Sequence, residues 1–219
     1  SLDPTLAPEK HDLNYHELSF NYRSSKSIVR VSNSIQALRS ALFDLPSLRP
    51  QTSWQLEESS PPVVWFSWDD EEALDRLREE RDLTVIIPCL PGEEVDYVQN
   101  DSRLKAVVDI DEAGVPRNVL SANRAKGLEF KRVVLFGFGD AASENPEEML
   151  EWQVGDIEAE RLLPFEYFIN SLYVAASRPK KRLVIMDSDQ GLRFWDFAKG
   201  ARVQRLLLER LRHEENWIG

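Results

Sequence analysis

The feature that most restricts how this chain can fold is a set of short, continuous apolar segments, each bounded by charged or turn-forming residues. PVVWFSW (62–68), LTVIIPC (83–89), RNVLSAN (117–123), RVVLFGF (132–138) and RLVIMD (182–187) are the clear members, and KAVVDI (105–110) is a weaker one. Their β-branched and aromatic residues favour extended backbone. A run that stays apolar instead of alternating implies burial on both faces, as in a parallel strand. Parallel neighbours cannot be joined by tight hairpins, so helices must lie between them.

The intervening segments supply those helices. In KSIVRVSNSIQALRSALF (26–43), Ile28, Val29, Val31, Ile35, Leu38, Ala41, Leu42 and Phe43 recur at helical spacing, with Ser24 or Ser25 as a candidate N-cap. DDEEALDRLREER (69–81) starts with acids that suit a helix N-terminus. GEEVDYVQN predicts a short helix, and residues 164–176 and 200–212 two longer ones. The expected fold class is therefore α/β, a parallel sheet with helices on both faces. Residues 1–17, with Pro4 and Pro8, read as a flexible lead-in, and 18–219 as one domain. Residues 44–61, with Pro46, Pro50 and Pro61, read as a loop.

Charge and composition exclude several roles. The net charge of −11 argues against strong nonspecific nucleic-acid binding by the chain as a whole, though a local basic strip is compatible with it. A single cysteine, Cys89, allows neither an intrachain disulfide nor a cysteine metal site. His11, His16 and His213 have no ligand spacing, so no metal site is expected in this chain. No apolar run approaches the roughly 18 residues of a membrane span, and no secretory signal is present. A cytoplasmic protein without membrane contact is expected. The chain opens on Ser1 rather than Met and reads as a piece of a longer protein or a product of tag cleavage.

Three stretches carry candidate chemistry. NYRSS (21–25) lies just ahead of a helix, where anions are favoured; Tyr22 beside Arg23 suits a flat base and a phosphate. The plain alternative is a loop with a capping serine and a surface arginine. In RAKGLEF (124–130), Gly127 permits close backbone approach, Glu129 can accept from sugar hydroxyls, and Lys126 can pair with phosphate. A basic turn between strands would look the same. Strand carboxyl ends are the usual ligand sites of α/β sheets, and this loop is expected near a sheet edge where such chemistry is usual, although Glu129 and Phe130 lead into the next strand. In LYVAASRPKKRL (172–183), Arg178 ends a helix and precedes Pro179. It can stabilise a transferring phosphoryl group, or its cations can simply offset the helix dipole.

In order, NYRSS, SANRAKGLEFKRVVLFGF and LYVAASRPKKRL resemble the late motifs of superfamily 1 helicases of the UvrD/Rep type. The resemblance covers most of the chain and implies a second RecA-like motor domain spanning 18–219. In such enzymes ATP binds between two RecA-like domains. The resemblance implies that Tyr22 stacks near adenine, that Arg23 and Arg178 reach the γ-phosphate as catalytic arginines, and that Gly127 and Glu129 face the nucleotide, Glu129 near the ribose. It implies that Ser121, Asn123 and Lys126 track single-stranded DNA. ATP and Mg²⁺ would be shared with an amino-terminal RecA-like domain that holds the metal ligands; RNA remains an alternative to DNA.

The sequence departs from that pattern at Asn123, where the family usually has histidine, in EYFINS (166–171), where it carries a charged run, and at Pro179, which replaces alanine. Phe168 and Ile169 of EYFINS look packed or partner-facing. No GxxxxGK[ST] phosphate loop occurs, so the chain alone is expected not to hydrolyse ATP. About a hundred residues separate Arg23 from Gly127, and they are needed for the sheet itself, so no large accessory insertion is expected. Nine acids from Asp140 to Glu166 are matched locally only by Arg161. They read as a solvated surface, or as a flap for a partner with Trp152 as anchor. The competing function is a helicase-derived domain kept for binding a protein partner.

Overall fold

The computed structural model describes residues 20–21, 23–43, 50–53, 61–80, 82–151 and 159–213. The lead-in 1–17, Tyr22, most of the 44–61 loop and Trp152 lie outside the described residues.

The expected fold class is what the structure shows. Along the chain run β1 (Phe20–Asn21), α1 (Lys26–Phe43), β2 (Thr52–Ser53), β3 (Val63–Ser67), α2 (Glu71–Glu79), β4 (Leu83–Ile87), α3 (Glu94–Asn100), α4 (Ser102–Val107), β5 (Val119–Ser121) and β6 (Phe130–Phe136). They are followed by α5 (Phe138–Ala141), α6 (Pro146–Glu151), α7 (Ala159–Ala176), β7 (Pro179–Asp187), α8 (Gly191–Phe194), α9 (Asp196–Lys199) and α10 (Ala201–His213). Five strands form a parallel sheet in the order β3-β7-β6-β4-β5, and β1 and β2 form a separate parallel pair.

The apolar runs of β4, β6 and β7 are buried on both sides, as their lack of alternation demands, while the edge strand β3 is half-buried throughout. Successive β6 residues feed opposite faces: Val133 and Leu135 join one core with α1, α7 and α10, while Val134 and Phe136 join the other with α2, α3 and α4. In β7, Leu183 and Ile185 divide from Val184 and Met186 in the same way. Each such side chain, fully withdrawn from water, contributes about 1.5–3 kcal/mol. β6 and β7 thus hold the middle of the sheet, and what precedes them is held rigidly.

Several local expectations are corrected. Neither serine of NYRSS caps α1 with its side chain. Asn21 Oδ1 instead accepts from the amides of Arg23 and Ser24, both at 2.9 Å, and Ser24 Oγ donates to the Pro179 carbonyl at 2.8 Å. The serine therefore ties α1 to the start of β7. KAVVDI is not a strand: Asp101 caps α4 by accepting from the amides of Arg103 and Leu104, and Leu104 is fully buried. That cap and anchor override the extended preference of Val107 and Val108. Helix α7 begins at Ala159, before Pro164, and β7 begins at Pro179. The acidic stretch is matched by more than Arg161, which pairs with Glu144: Arg202 of α10 pairs with Glu147 at 3.1 Å and Glu151 at 3.0 Å. That neutralisation crosses elements distant in sequence. Phe168 and Ile169 are packed, Ile169 fully and Phe168 against Phe138, Phe165 and Phe194.

Candidate functional site

The pair β1–β2 sets the position of Arg23. Ser53 Oγ donates to the Ser24 carbonyl at 2.7 Å. Asn33 of α1 exchanges bonds with Gln51, its Nδ2 donating to the Gln51 carbonyl at 2.8 Å and its Oδ1 accepting the Gln51 amide at 3.1 Å. The loop before α1 is thereby fixed against the loop before β2, and Arg23 is turned toward the starts of β6 and β7.

There it meets two other motif residues. Arg23 Nη1 donates to Glu129 Oε1 at 2.6 Å, and Arg23 Nη2 donates to the Ser177 carbonyl at 3.2 Å, across 154 residues of chain. Arg178 is pinned beside it. Its Nε donates to the Val174 carbonyl at 2.8 Å, Nη1 to the Leu128 carbonyl at 3.2 Å and Nη2 to Ser177 Oγ at 2.8 Å. Both guanidinium groups are thus oriented through Ser177, one by its carbonyl and one by its hydroxyl. Lys180 of β7 completes the cluster, with Nζ 2.6 Å from Glu129 Oε2.

The electrostatics are those of an anion site with one internal acid. Arg23 and Lys180 pair with Glu129, and Arg178 stands beside them. Lys180, and then Arg23, hold the Glu129 carboxyl down to about 2. Burial, and then the neighbouring Arg23 guanidinium, press the pKa of Arg178 downward. Two guanidinium groups held close enough to repel are stabilised by an anion between them. The fold keeps them together because each is attached to the start of a central strand or to α1, packed on those strands.

Because the Glu129 carboxyl is depressed in the folded chain, its contribution to stability is fully present above its ordinary unfolded range, near pH 4.5, and is lost as pH falls toward 2. The urea midpoint of the parent should therefore exceed that of Glu129→Gln at neutral pH, with the gap closing between about pH 4.5 and 2. A gap that persists unchanged at pH 2 would show that the carboxylate charge is not its source.

The remaining motif residues divide. Ser121 is fully buried at the end of β5, and its amide donates to Glu94 Oε1 at 3.2 Å. It holds the turn and does not offer its side chain to a strand. Asn123 is exposed, its Nδ2 donating to the Tyr167 hydroxyl at 2.6 Å, on a hollow of about 210 Å³ that Leu90, Phe168 and Ser171 also line. Lys126 is exposed, with no side-chain bond among the described residues. Gly127 has φ +80°, but a Cβ there would meet nothing within 4 Å. No protein atom crowds that side of the glycine, and its left-handed backbone makes the turn from which the Leu128 carbonyl accepts from Arg178. Gly127→Ala should accordingly cost about 1–2 kcal/mol in urea denaturation, and Gly127→Asn clearly less. Equal costs would point to crowding instead of φ.

The loop leaves the carboxyl end of the edge strand β5, as expected, but its charged residues lie at its far end. Glu129 directly precedes β6, and Arg178 directly precedes β7. The cluster lies at the amino ends of central strands, not at a carboxyl end near a sheet edge. The cause is topological. β5 and β6 both run parallel to β4, so the chain must travel back along the sheet between Ser121 and Phe130. By the register, Ser121 lies level with Phe136, roughly 20 Å from the level of Phe130. Asn123 and the guanidinium cluster therefore lie toward opposite ends of the sheet, joined by one short crossover.

Two contributors escaped sequence reading. Lys180 is one cation in PKKR until β7 pairs with β6 and sets it beside Glu129. Glu94 is buried, accepts from the Gly92 amide at 2.8 Å as well as from Ser121, and has Arg124 at 3.6 Å. It anchors the start of the crossover. The only prior signal was an acid beside an apolar helix face. Among the described residues no cluster of His, Cys, Asp or Glu could hold a metal ion, and no helix is long and apolar enough to cross a membrane.

No family model matches this sequence, and no curated protein does. Among solved structures the chain is similar to the C-terminal domain of a possible DNA helicase from Lactobacillus plantarum WCFS1, at 20% identity and a TM-score of 0.43, over 80% of this chain and 94% of that one. That likeness is too slight to carry a function across.

Proposed function

We propose that this chain is the carboxyl-terminal motor domain of an ATP-dependent DNA helicase or translocase of the UvrD/Rep type, forming one wall of a nucleotide site shared with an amino-terminal RecA-like domain. The observation that carries this reading is the convergence of Arg23 and Arg178 on Ser177, with Glu129 paired to Arg23. These are the residues that the motif resemblance assigns to nucleotide. The donor set fits a polyphosphate: forked guanidinium groups and an ammonium suit phosphate oxygens.

In this reading ATP supplies the phosphoryl group and the energy of the cycle. Arg178, oriented by the Val174 and Leu128 carbonyls, presents its guanidinium to the terminal phosphate, and Arg23 presents a second. Glu129 lies within reach of a ribose hydroxyl. Tyr22 is assigned to the base on the motif alone. Asn123 and Lys126 face the nucleic acid strand. The crossover of residues 122–128, anchored by Glu94 at one end and by Arg178 at the other, transmits movement between strand and nucleotide. Isolated, the chain has no phosphate loop and is proposed to turn over no ATP.

The test is reconstitution. An amino-terminal RecA-like domain carrying the phosphate loop is joined to this chain, and ATP turnover is measured with and without single-stranded DNA. The expected result is turnover that needs both domains and rises with the strand; RNA in place of DNA decides between the two nucleic acids. Turnover indifferent to this chain would leave the partner-binding alternative. One observation favours that second reading: Leu163 and Tyr167, 67% and 53% exposed, stand one helical turn apart on α7.

A further inference from the structure

We propose that Glu129 is a built-in competitor for the anion this cluster takes: its carboxylate occupies Arg23 until a triphosphate displaces it, and Lys180 then retains it. The proposal rests on the reading that the cluster receives the phosphates of a nucleotide, and it concerns how access to that site is regulated.

The geometry that points to it is the division of one carboxylate between two cations on different elements. Oε1 takes Arg23, from the loop before α1, and Oε2 takes Lys180, from β7. A carboxylate oxygen 2.6 Å from a guanidinium nitrogen stands where a phosphate oxygen would stand, with like charge and like acceptor geometry. Arg23 cannot serve both fully. Its second nitrogen is already directed to the Ser177 carbonyl, which fixes the fork so that Nη1 is the arm that exchanges partners.

Lys180 makes that exchange workable. A carboxylate abandoned beside an arriving polyanion would repel it. With Lys180 retaining the other oxygen, Glu129 stays neutralised while Arg23 turns to the phosphate. Arg178 takes no part in the exchange, because its donors are bound to backbone carbonyls and to Ser177 Oγ, not to Glu129. One arginine is thus held ready and the other is held back. Glu129 is 36% exposed, so a ligand can reach the pair without unfolding anything.

The test uses the 219-residue chain and inorganic tripolyphosphate without metal, titrated calorimetrically at low and moderate salt. Glu129→Gln, which keeps the shape and removes the charge, should bind roughly tenfold tighter or more than the parent. Lys180→Gln should bind more weakly than the parent, and Glu129→Gln combined with Lys180→Gln should recover most of that loss, since Lys180 is then no longer needed to retain a charge. As a readout that a structural role would not move, the Glu129 carboxyl carbon, followed by NMR, should titrate at higher pH once tripolyphosphate is present, because Arg23 has left it. Binding by Glu129→Gln that is equal to the parent's, weaker, or undetectable overturns the proposal. If Arg178→Gln still binds less well than the parent in that case, the phosphate reading stands without the competitor. If Arg23→Gln and Arg178→Gln both bind as the parent does, the phosphate reading fails and takes the competitor with it.

Discussion

Arg178→Ala should lower strand-stimulated ATP turnover of the joined two-domain protein by roughly 10³-fold or more, the range reported for arginines that stabilise phosphoryl transfer. The fold should survive. The side chain is half-buried and its bonds go to the Val174 and Leu128 carbonyls and to Ser177 Oγ, so the unfolding free energy of this chain from urea denaturation should fall by no more than about 1–3 kcal/mol. Arg178→Lys separates charge from shape. It keeps a cation but loses the planar fork that three acceptors hold in place, and should recover little of the rate. Unchanged turnover in Arg178→Ala would remove the motor reading, because that reading gives Arg178 the largest single role in the chemistry.

The largest effect on stability should come from Trp195→Ala, at about 3–5 kcal/mol, against a total of about 5–15 kcal/mol for a typical domain. Trp195 is fully buried and meets Trp65 at 5.5 Å, Phe194 at 5.5 Å and Phe197 at 6.1 Å between ring centroids. Its Nε1 also donates to Asp187 Oδ2 at 2.8 Å. Asp187, at the end of β7, accepts the Gly139 amide as well, and burial pushes its carboxyl up to about 7. Removing the indole therefore opens a cavity and also takes a donor from a buried acid. Trp195→Phe leaves most of the packing and removes the donor, and should cost about 1–3 kcal/mol. Urea denaturation of the two variants orders the terms. A cost below about 1 kcal/mol for the alanine variant would mean that this aromatic cluster does not anchor β3 and β7.

The strands that hold the site were legible for a simple reason. LTVII, RVVLF and RLVIM are apolar without alternation, and a sheet covered on both faces is the arrangement that buries every member of such a run. Helix α1 was legible from its spacing. Helix α4 was not, because KAVV carries extended-favouring valines; the Asp101 cap is local, but the burial of Leu104 depends on the packing of α4 in the core it shares with α2 and β4. Helices α8 and α9, four residues each, are too short to show a period.

The site divides in the same way. The order and content of three motifs drew attention to Arg23, Glu129 and Arg178, and residue chemistry alone marked them as groups suited to an anion. Which end of the sheet they occupy was not legible, since that follows from all five strands being parallel and from the return of the chain between β5 and β6. Nor was Lys180, whose role depends on the register of β7 against β6. By itself the sequence determined the strands of the main sheet, the longer helices and the kinds of charge on offer, because these follow from the local patterning and chemistry of neighbouring residues. Only the tertiary structure decided which charges meet, because a bond of 2.6 Å between Arg23 and Glu129 is fixed by the packing of α1 on two strands more than a hundred residues away.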